Sequence, residues 1–186
     1  MSTRILGLSG SLRRKSLNTA LLRAAQTLMP EGDALEAATL HGIPLYDGDV
    51  EAQDGIPSAV DELKEKIVAS DGVLLVTPEY NNSMPGVFKN AIDWLSRPPD
   101  DAARIFKGRA VAVIGASPGG FGTILSQNAW LPVLRTLGVR HWAEGRLMVS
   151  RASKAFNEDG ELVDENTREQ LRKFLAGFVD FAANNA

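Results

Sequence analysis

Apolar residues fall along this chain in two alternating patterns. Residues 5–8 (Ile-Leu-Gly-Leu), 72–76 (Gly-Val-Leu-Leu-Val) and 110–114 (Ala-Val-Ala-Val-Ile) are continuous apolar runs, the pattern of strands buried on both faces. Between and after them, apolar positions recur three and four apart, the pattern of helices with one buried stripe. Leu17, Ala20, Leu21, Ala24 and Leu28 form the first stripe, and Pro30-Glu-Gly32 stops that helix just after Met29. Val60, Leu63, Ile67 and Val68 form a second, with Ser58 as its expected cap. Val87, Phe88, Ala91, Ile92 and Leu95 form a third, with Pro85 in its first turn and Arg97-Pro98-Pro99 closing it. A further helix is predicted from about 123 to 137, and a terminal one over 167–183, with Leu171, Phe174, Leu175, Phe178 and Val179 inward.

The remaining stretches are read from their neighbours. Residues 34–40 combine a strand's length with a helix's alanines, and their place between helix and turn makes them a strand near the sheet edge. Residues 41–57 are punctuated by Gly42, Pro44, Gly48, Gly55 and Pro57 and read as a long loop, while 156–165 read as polar loop. Residues 139–142 and 145–149 form a fifth strand, broken at 143–145. Strands alternating with helices require right-handed crossovers and a parallel sheet covered on both faces. The expected fold is one α/β domain over residues 1–186, a doubly wound five-stranded parallel sheet of order 2-1-3-4-5 with helices on both faces. In such sheets ligands lie beyond the carboxyl ends of the strands, so the loops after strands one, three and four converge on one edge.

Those three loops carry the chemistry. The first, Leu8-Ser-Gly-Ser-Leu-Arg-Arg-Lys-Ser-Leu-Asn18, joins a strand to a helix. Gly10 permits a tight bend; Ser9, Ser11 and Ser16 offer hydroxyls, Asn18 an amide and Arg13 a planar cation. With the free N–H groups of the helix start, they suit a terminal phosphate. The plainer alternative is an N-capped turn with a solvated arginine. The second loop, Pro78-Glu-Tyr-Asn81, suits a flat heteroaromatic ring: its backbone donors reach ring atoms and Tyr80 walls the pocket. Its alternative is a capped turn leading to Pro85. The third, Ser117-Pro-Gly-Gly-Phe-Gly122, lets backbone approach a ligand at Gly119 and Gly120, although glycine-rich turns also end strands for steric reasons.

Composition narrows the chemistry. The chain has 186 residues, 44% hydrophobic and 23% charged, with a net charge of −3, the balance of an ordinary globular domain without a nucleic-acid or membrane-surface partner. No cysteine is present, which removes disulfides, thiolate metal sites and a cysteine nucleophile together. No apolar run approaches the roughly 18 residues of a membrane span, and the N-terminus lacks a signal-peptide core, so a cytoplasmic protein is expected. Walker A and the dinucleotide Gly-x-Gly-x-x-Gly are absent. His41 and His141 stand alone, without metal-ligand spacing. Asp100 and Asp101, after the double proline, read as solvated loop.

The motifs resemble a known family. Gly10-Ser-Leu-Arg-x-x-Ser-x-Asn18, Pro78-Glu-Tyr-Asn81 with Ser83-x-Pro-Gly86 and Lys89-Asn-Ala-Ile-Asp-Trp94, and the Ser-Pro-Gly-Gly turn at 117–120 are together similar to the NADPH-dependent FMN reductases, in particular to bacterial quinone and chromate reductases. Ile43-Pro-Leu-Tyr-Asp47 also fits, and the similarity covers nearly the whole chain. The resemblance implies a flavodoxin-like fold, non-covalent FMN, NADPH or NADH as electron donor, a small-molecule acceptor such as a quinone, chromate or an azo compound, ping-pong kinetics, and a homodimer or homotetramer. An FMN-binding electron carrier without NAD(P)H activity is the alternative. The implied cofactor contacts are Ser9, Ser11, Leu12, Arg13, Ser16, Leu17 and Asn18 around the phosphate, and Pro78, Glu79, Tyr80, Asn81, Ser117, Gly119 and Gly120 along the ring. No side chain is expected to act as acid or base. Arg14, Lys15, Arg97 and Arg104 are the candidates for choosing between NADPH and NADH.

Overall fold

In the computed structural model, which describes residues 2–184, the apolar runs assemble into one parallel sheet. β1 (Arg4–Ser9) lies between β2 (Ala34–Ala38) and β3 (Gly72–Val76), and β4 (Ala110–Ala116) pairs with the far side of β3. β5 (Arg140–His141) pairs in parallel with the start of β4 and β6 (Leu147–Val149) with its end. The order is therefore the expected 2-1-3-4-5, with the fifth position divided between two short strands. The division has a packing cause. Trp142 leaves the strand to stack near Phe174 and Phe178, at centroid distances of 4.8 and 5.8 Å. Gly145 lies under its indole, where a Cβ would meet Trp142 Cη2 at 2.2 Å.

The helices are α1 (Leu17–Thr27), α2 (Gly48–Asp54), α3 (Ser58–Val68), α4 (Gly86–Leu95), α5 (Pro99–Phe106), α6 (Ile124–Leu137) and α7 (Glu165–Ala183). α1 and α7 cover one face of the sheet and α3 to α6 the other, giving two apolar layers separated by the strands. β3 and β4 are buried at every position, as continuous branched runs must be. α1 approaches β1 so closely that a Cβ on Gly7 would meet Leu22 Cδ1 at 2.3 Å. That approach fixes where α1 begins, and hence the first loop. No helix among the described residues is long and apolar enough to cross a membrane.

Several expectations change. The loop predicted over 41–57 contains α2, capped by Asp47, whose side chain accepts from the Asp49 N–H at 2.9 Å. α2 buries no residue, so it carries no apolar stripe to read. Its segment is instead tied to α4: the Asn90 amide and the Trp94 indole N–H both donate to Pro44 O, at 2.8 and 2.9 Å. Asp100 and Asp101 are not solvated loop but the first turn of α5, with Pro99 at its start. Asp101 accepts from Arg104 and lies 3.1 Å from Nζ of Lys64, a lysine whose side chain is only 2% exposed. Pro57 rather than Ser58 caps α3, and Pro85 caps α4 instead of entering its first turn. α1 ends at Thr27, before Met29, and α7 begins at Glu165 under an Asp164 cap.

Candidate functional site

The first loop leaves β1 through Gly10, whose N–H donates to Val76 O at 2.9 Å. A Cβ at Gly10 would meet Phe88 Cδ1 at 2.3 Å, so only glycine fits between the loop and α4. The serines shape the turn as much as they decorate it. Ser16 is the N-cap of α1 and accepts from the Thr19 N–H at 3.2 Å; Ser11 accepts from the Arg13 N–H at 3.3 Å; Ser9 shares a 2.8 Å hydrogen bond with Thr19. As acceptors, Ser11 and Ser16 keep their own O–H groups free to donate. The N–H groups of Leu17 and Asn18, in the first turn of α1, bond no described acceptor. The Arg13 guanidinium has no ion pair or hydrogen bond to a described residue.

Asn18 has a different place from the one its motif suggests. Its amide donates to Ala116 O at 2.9 Å and its carbonyl accepts from Ala116 N at 2.9 Å. The side chain thus clamps the start of α1 to the end of β4 and is 4% exposed. What it offers a ligand is its backbone N–H.

The second loop is equally constrained. The Glu79 carboxylate turns to α6, where its Oε2 accepts from the N–H groups of Leu125 and Ser126 at 2.8 and 3.0 Å. It serves as the cap that Thr123 does not supply. Tyr80 and Ser83 exchange backbone hydrogen bonds at 3.0 and 3.1 Å, with Asn81 and Asn82 in left-handed conformations at the tip. The Tyr80 N–H is therefore engaged, whereas those of Glu79 and Asn81 bond no described acceptor. Beneath, the Thr77 hydroxyl is fully buried, 2.9 Å from that of Ser126, and accepts from the Trp130 indole at 3.2 Å.

The third loop is pinned from the sheet side. Ser117 N donates to Val149 O at 2.9 Å and its hydroxyl accepts from the Gly119 N–H at 3.1 Å, while Arg151 N donates to Gly119 O at 2.8 Å. Gly115 lies where a Cβ would meet Thr77 O and Thr123 Oγ1, each at 2.2 Å. Phe121, at the end of this turn, is 85% exposed.

The three loops meet at one open cleft of about 730 Å³. From the first come Ser11, Arg13, Ser16, Leu17 and Asn18; from the second Pro78, Glu79 and Tyr80; from the third Ser117. Asn81, Gly119 and Gly120 lie outside its lining. Ser9 and Leu12 face a second cleft of about 490 Å³ on the β2 side of the first loop. The opposite wall of the first cleft comes from residues 153–160, of which the sequence presented 156–160 only as polar loop. Asn157 holds this wall: its side-chain carbonyl accepts from the N–H groups of Asp159 and Glu161, at 3.1 and 2.8 Å. The one available signal is topological, because whatever follows the last strand emerges at the same edge of the sheet as the three loops.

The charge around the cleft is one-sided. Arg13, Arg14, Lys15 and Arg23 line one rim, in a chain of net charge −3, while Glu158 and Asp159 stand on the other. Arg97 and Arg104 line neither cleft. Arg97 Nε donates to Glu51 at 2.8 Å, which holds the Glu51 carboxyl below its ordinary range. Arg104 bonds Asp101 and Glu65. FMN suits such a cleft: free N–H groups and an unpaired arginine at one end for its phosphate, and a tyrosine beside a fixed turn with free N–H groups for its ring.

Comparison with known proteins agrees with this geometry. The family model for the NADPH-dependent FMN reductases matches residues 3–154. The chain is 45% identical over 172 residues to an NAD(P)H-dependent FMN reductase of Pseudomonas aeruginosa, covering 92% of this chain and 91% of that protein. It is 35% identical over 175 residues to a 2-hydroxy-1,4-benzoquinone reductase of a Burkholderia species, covering 94% and 93%. The solved structure of FerB, a flavoenzyme NAD(P)H:(acceptor) oxidoreductase of Paracoccus denitrificans, superimposes with a TM-score of 0.86 at 37% identity, over 98% of both chains. With three fixed loops meeting at a cleft suited to a flavin mononucleotide, and these relatives matching along almost its whole length, this chain belongs to the NADPH-dependent FMN reductase family.

Proposed function

We propose that the protein is an FMN-dependent NAD(P)H oxidoreductase that delivers electrons to a quinone. The observation that carries this reading is the first cleft, where the N-terminus of α1, the unpaired Arg13 and the backbone of the second loop converge. Arg13, the hydroxyls of Ser11 and Ser16 and the N–H groups of Leu17 and Asn18 hold the phosphate. The free N–H of Glu79 would serve the ring's polar edge, and Tyr80 would form its wall. FMN, when bound, supplies the two-electron chemistry, taking hydride from the nicotinamide and returning the electrons to an acceptor. The chain's part is to orient and to stabilise charge: preorganised backbone donors favour the negative charge that reduction brings. No general acid or base is needed.

The acceptor follows from the opening. One cleft must admit donor and acceptor in turn, and its Tyr80 wall suits a flat aromatic acceptor; the relative that reduces 2-hydroxy-1,4-benzoquinone supports the same class. Steady-state turnover with NADPH and a benzoquinone tests the reading. Parallel double-reciprocal lines are expected as the quinone is varied at several donor concentrations, and converging lines would exclude alternating occupancy. We assign the protein a homodimer through the third loop and α6, where Phe121, Leu125 and Leu131 are exposed at 85, 42 and 43%. Light scattering is expected to give twice the chain mass for the wild type and a smaller mass for Phe121→Asp. A wild-type monomer would refute the assignment.

A further inference from the structure

The basic rim holds more cations than one FMN phosphate can use. Arg13, Arg14 and Arg23 all line the first cleft, and all three also line the second. None of the three makes an ion pair or side-chain hydrogen bond to a described residue. They form a ridge, with a phosphate site on one side and, on the other, a cavity of about 490 Å³. The far cavity is within the volume range of small-ligand sites. Its wall combines apolar surface from Leu22, Ala38, Ala59 and Leu63 with the Glu62 carboxylate, an acceptor that suits the hydroxyls of a ribose beside a purine, while the Thr39 hydroxyl is held by His41. The ridge is braced from that side, since the His41 ring donates from Nε2 to Leu12 O at 3.2 Å. Lys66, the remaining cation there, is occupied by Glu36 at 2.7 Å.

We propose that the second cleft is the subsite for the adenosine half of the nicotinamide donor, with Arg14 and Arg23 reading the ribose 2′-phosphate that distinguishes NADPH from NADH. The proposal rests on the reading of the first cleft as the FMN site. A dinucleotide is two nucleotides joined by a pyrophosphate, long enough to straddle one ridge with its nicotinamide in the first cleft and its adenosine in the second. Planar, permanently charged guanidinium groups suit a phosphomonoester, which they can grip bidentately.

The test is calorimetric titration of the FMN-loaded protein with adenosine 2′,5′-bisphosphate, 5′-AMP and inorganic phosphate. The bisphosphate is expected to bind about tenfold or more tightly than 5′-AMP, the scale of one charged hydrogen bond. Arg14→Ala/Arg23→Ala should abolish that difference and lower kcat/KM for NADPH about tenfold more than for NADH. Ala59→Trp, which fills the second cleft and leaves the arginines in place, should also abolish bisphosphate binding while the protein keeps its FMN absorbance. Equal affinities for bisphosphate and 5′-AMP, bisphosphate binding that survives Ala59→Trp, or inorganic phosphate binding as tightly as the bisphosphate would each overturn the proposal. Failure to hold FMN, seen in the absorbance before any titrant is added, refutes the first-cleft reading instead.

Discussion

Arg13 and Asn18 show how much a motif conveys about individual residues. Both belong to one recognisable run, yet one is a free cation at the rim and the other a buried clamp on β4. Their variants should separate accordingly. Arg13→Ala is expected to weaken FMN by about 1.5–3 kcal/mol, the worth of a charged hydrogen bond, and to leave riboflavin affinity nearly unchanged. Fluorescence titration of the apoprotein with both ligands checks this, and equal losses would show that Arg13 does not meet the phosphate. Asn18→Ala should instead lower stability by about 1–3 kcal/mol, since it strands the buried N–H and C=O of Ala116, and denaturant unfolding measures that loss. The sequence made the first loop legible as a phosphate cradle. It could not show that the Asn18 side chain already has a protein partner, because that partner depends on where Ala116 comes to lie.

Among the elements, the strands and long helices were readable and the short ones were not. β3 is continuous and branched, so its pattern and its structure coincide over Gly72–Val76. α2 and α5 escaped because each is too short for a stripe to repeat: α2 is set by its Asp47 cap and buries no residue, while α5 starts at Pro99 and buries only Ile105 and Phe106 at its end. Glu79 was legible as part of the second motif, but its job as the cap of α6 is a long-range contact that spacing does not reveal. Glu79→Ala should therefore destabilise the protein by about 1 kcal/mol, the usual loss of a helix cap, and speed FMN dissociation by loosening the second loop. Thermal unfolding and FMN release are the two readouts. A variant that keeps its melting temperature would contradict the capping role.

For the whole molecule, the alternation of strands and helices determined the sheet order and the edge at which loops gather, while the fourth wall of the cleft, from residues 153–160, became visible only in three dimensions. Stability at this scale includes one ion cluster on the face remote from the α1 layer, where Asp101 joins α5 to the buried Lys64 of α3. The Arg104 hydrogen bond, with Lys64 beside it, holds the Asp101 carboxyl down at about 2, against an ordinary 3.8. A carboxyl depressed in the folded state stabilises fully above its unfolded value and loses that contribution as pH falls. Asp101→Asn should thus cost about 1.5–3 kcal/mol near neutrality and flatten the fall in Tm between about pH 4 and pH 2. An unchanged slope in that window would assign the acid limb to other carboxylates. The central claim, that the three loops hold a redox-active flavin mononucleotide, is tested most directly by the absorbance spectrum of the purified protein before and after NADPH is added without oxygen. The account predicts a yellow protein that NADPH bleaches and a benzoquinone restores. A colourless protein that added FMN does not turn yellow, or a flavin that NADPH leaves unbleached, would contradict it.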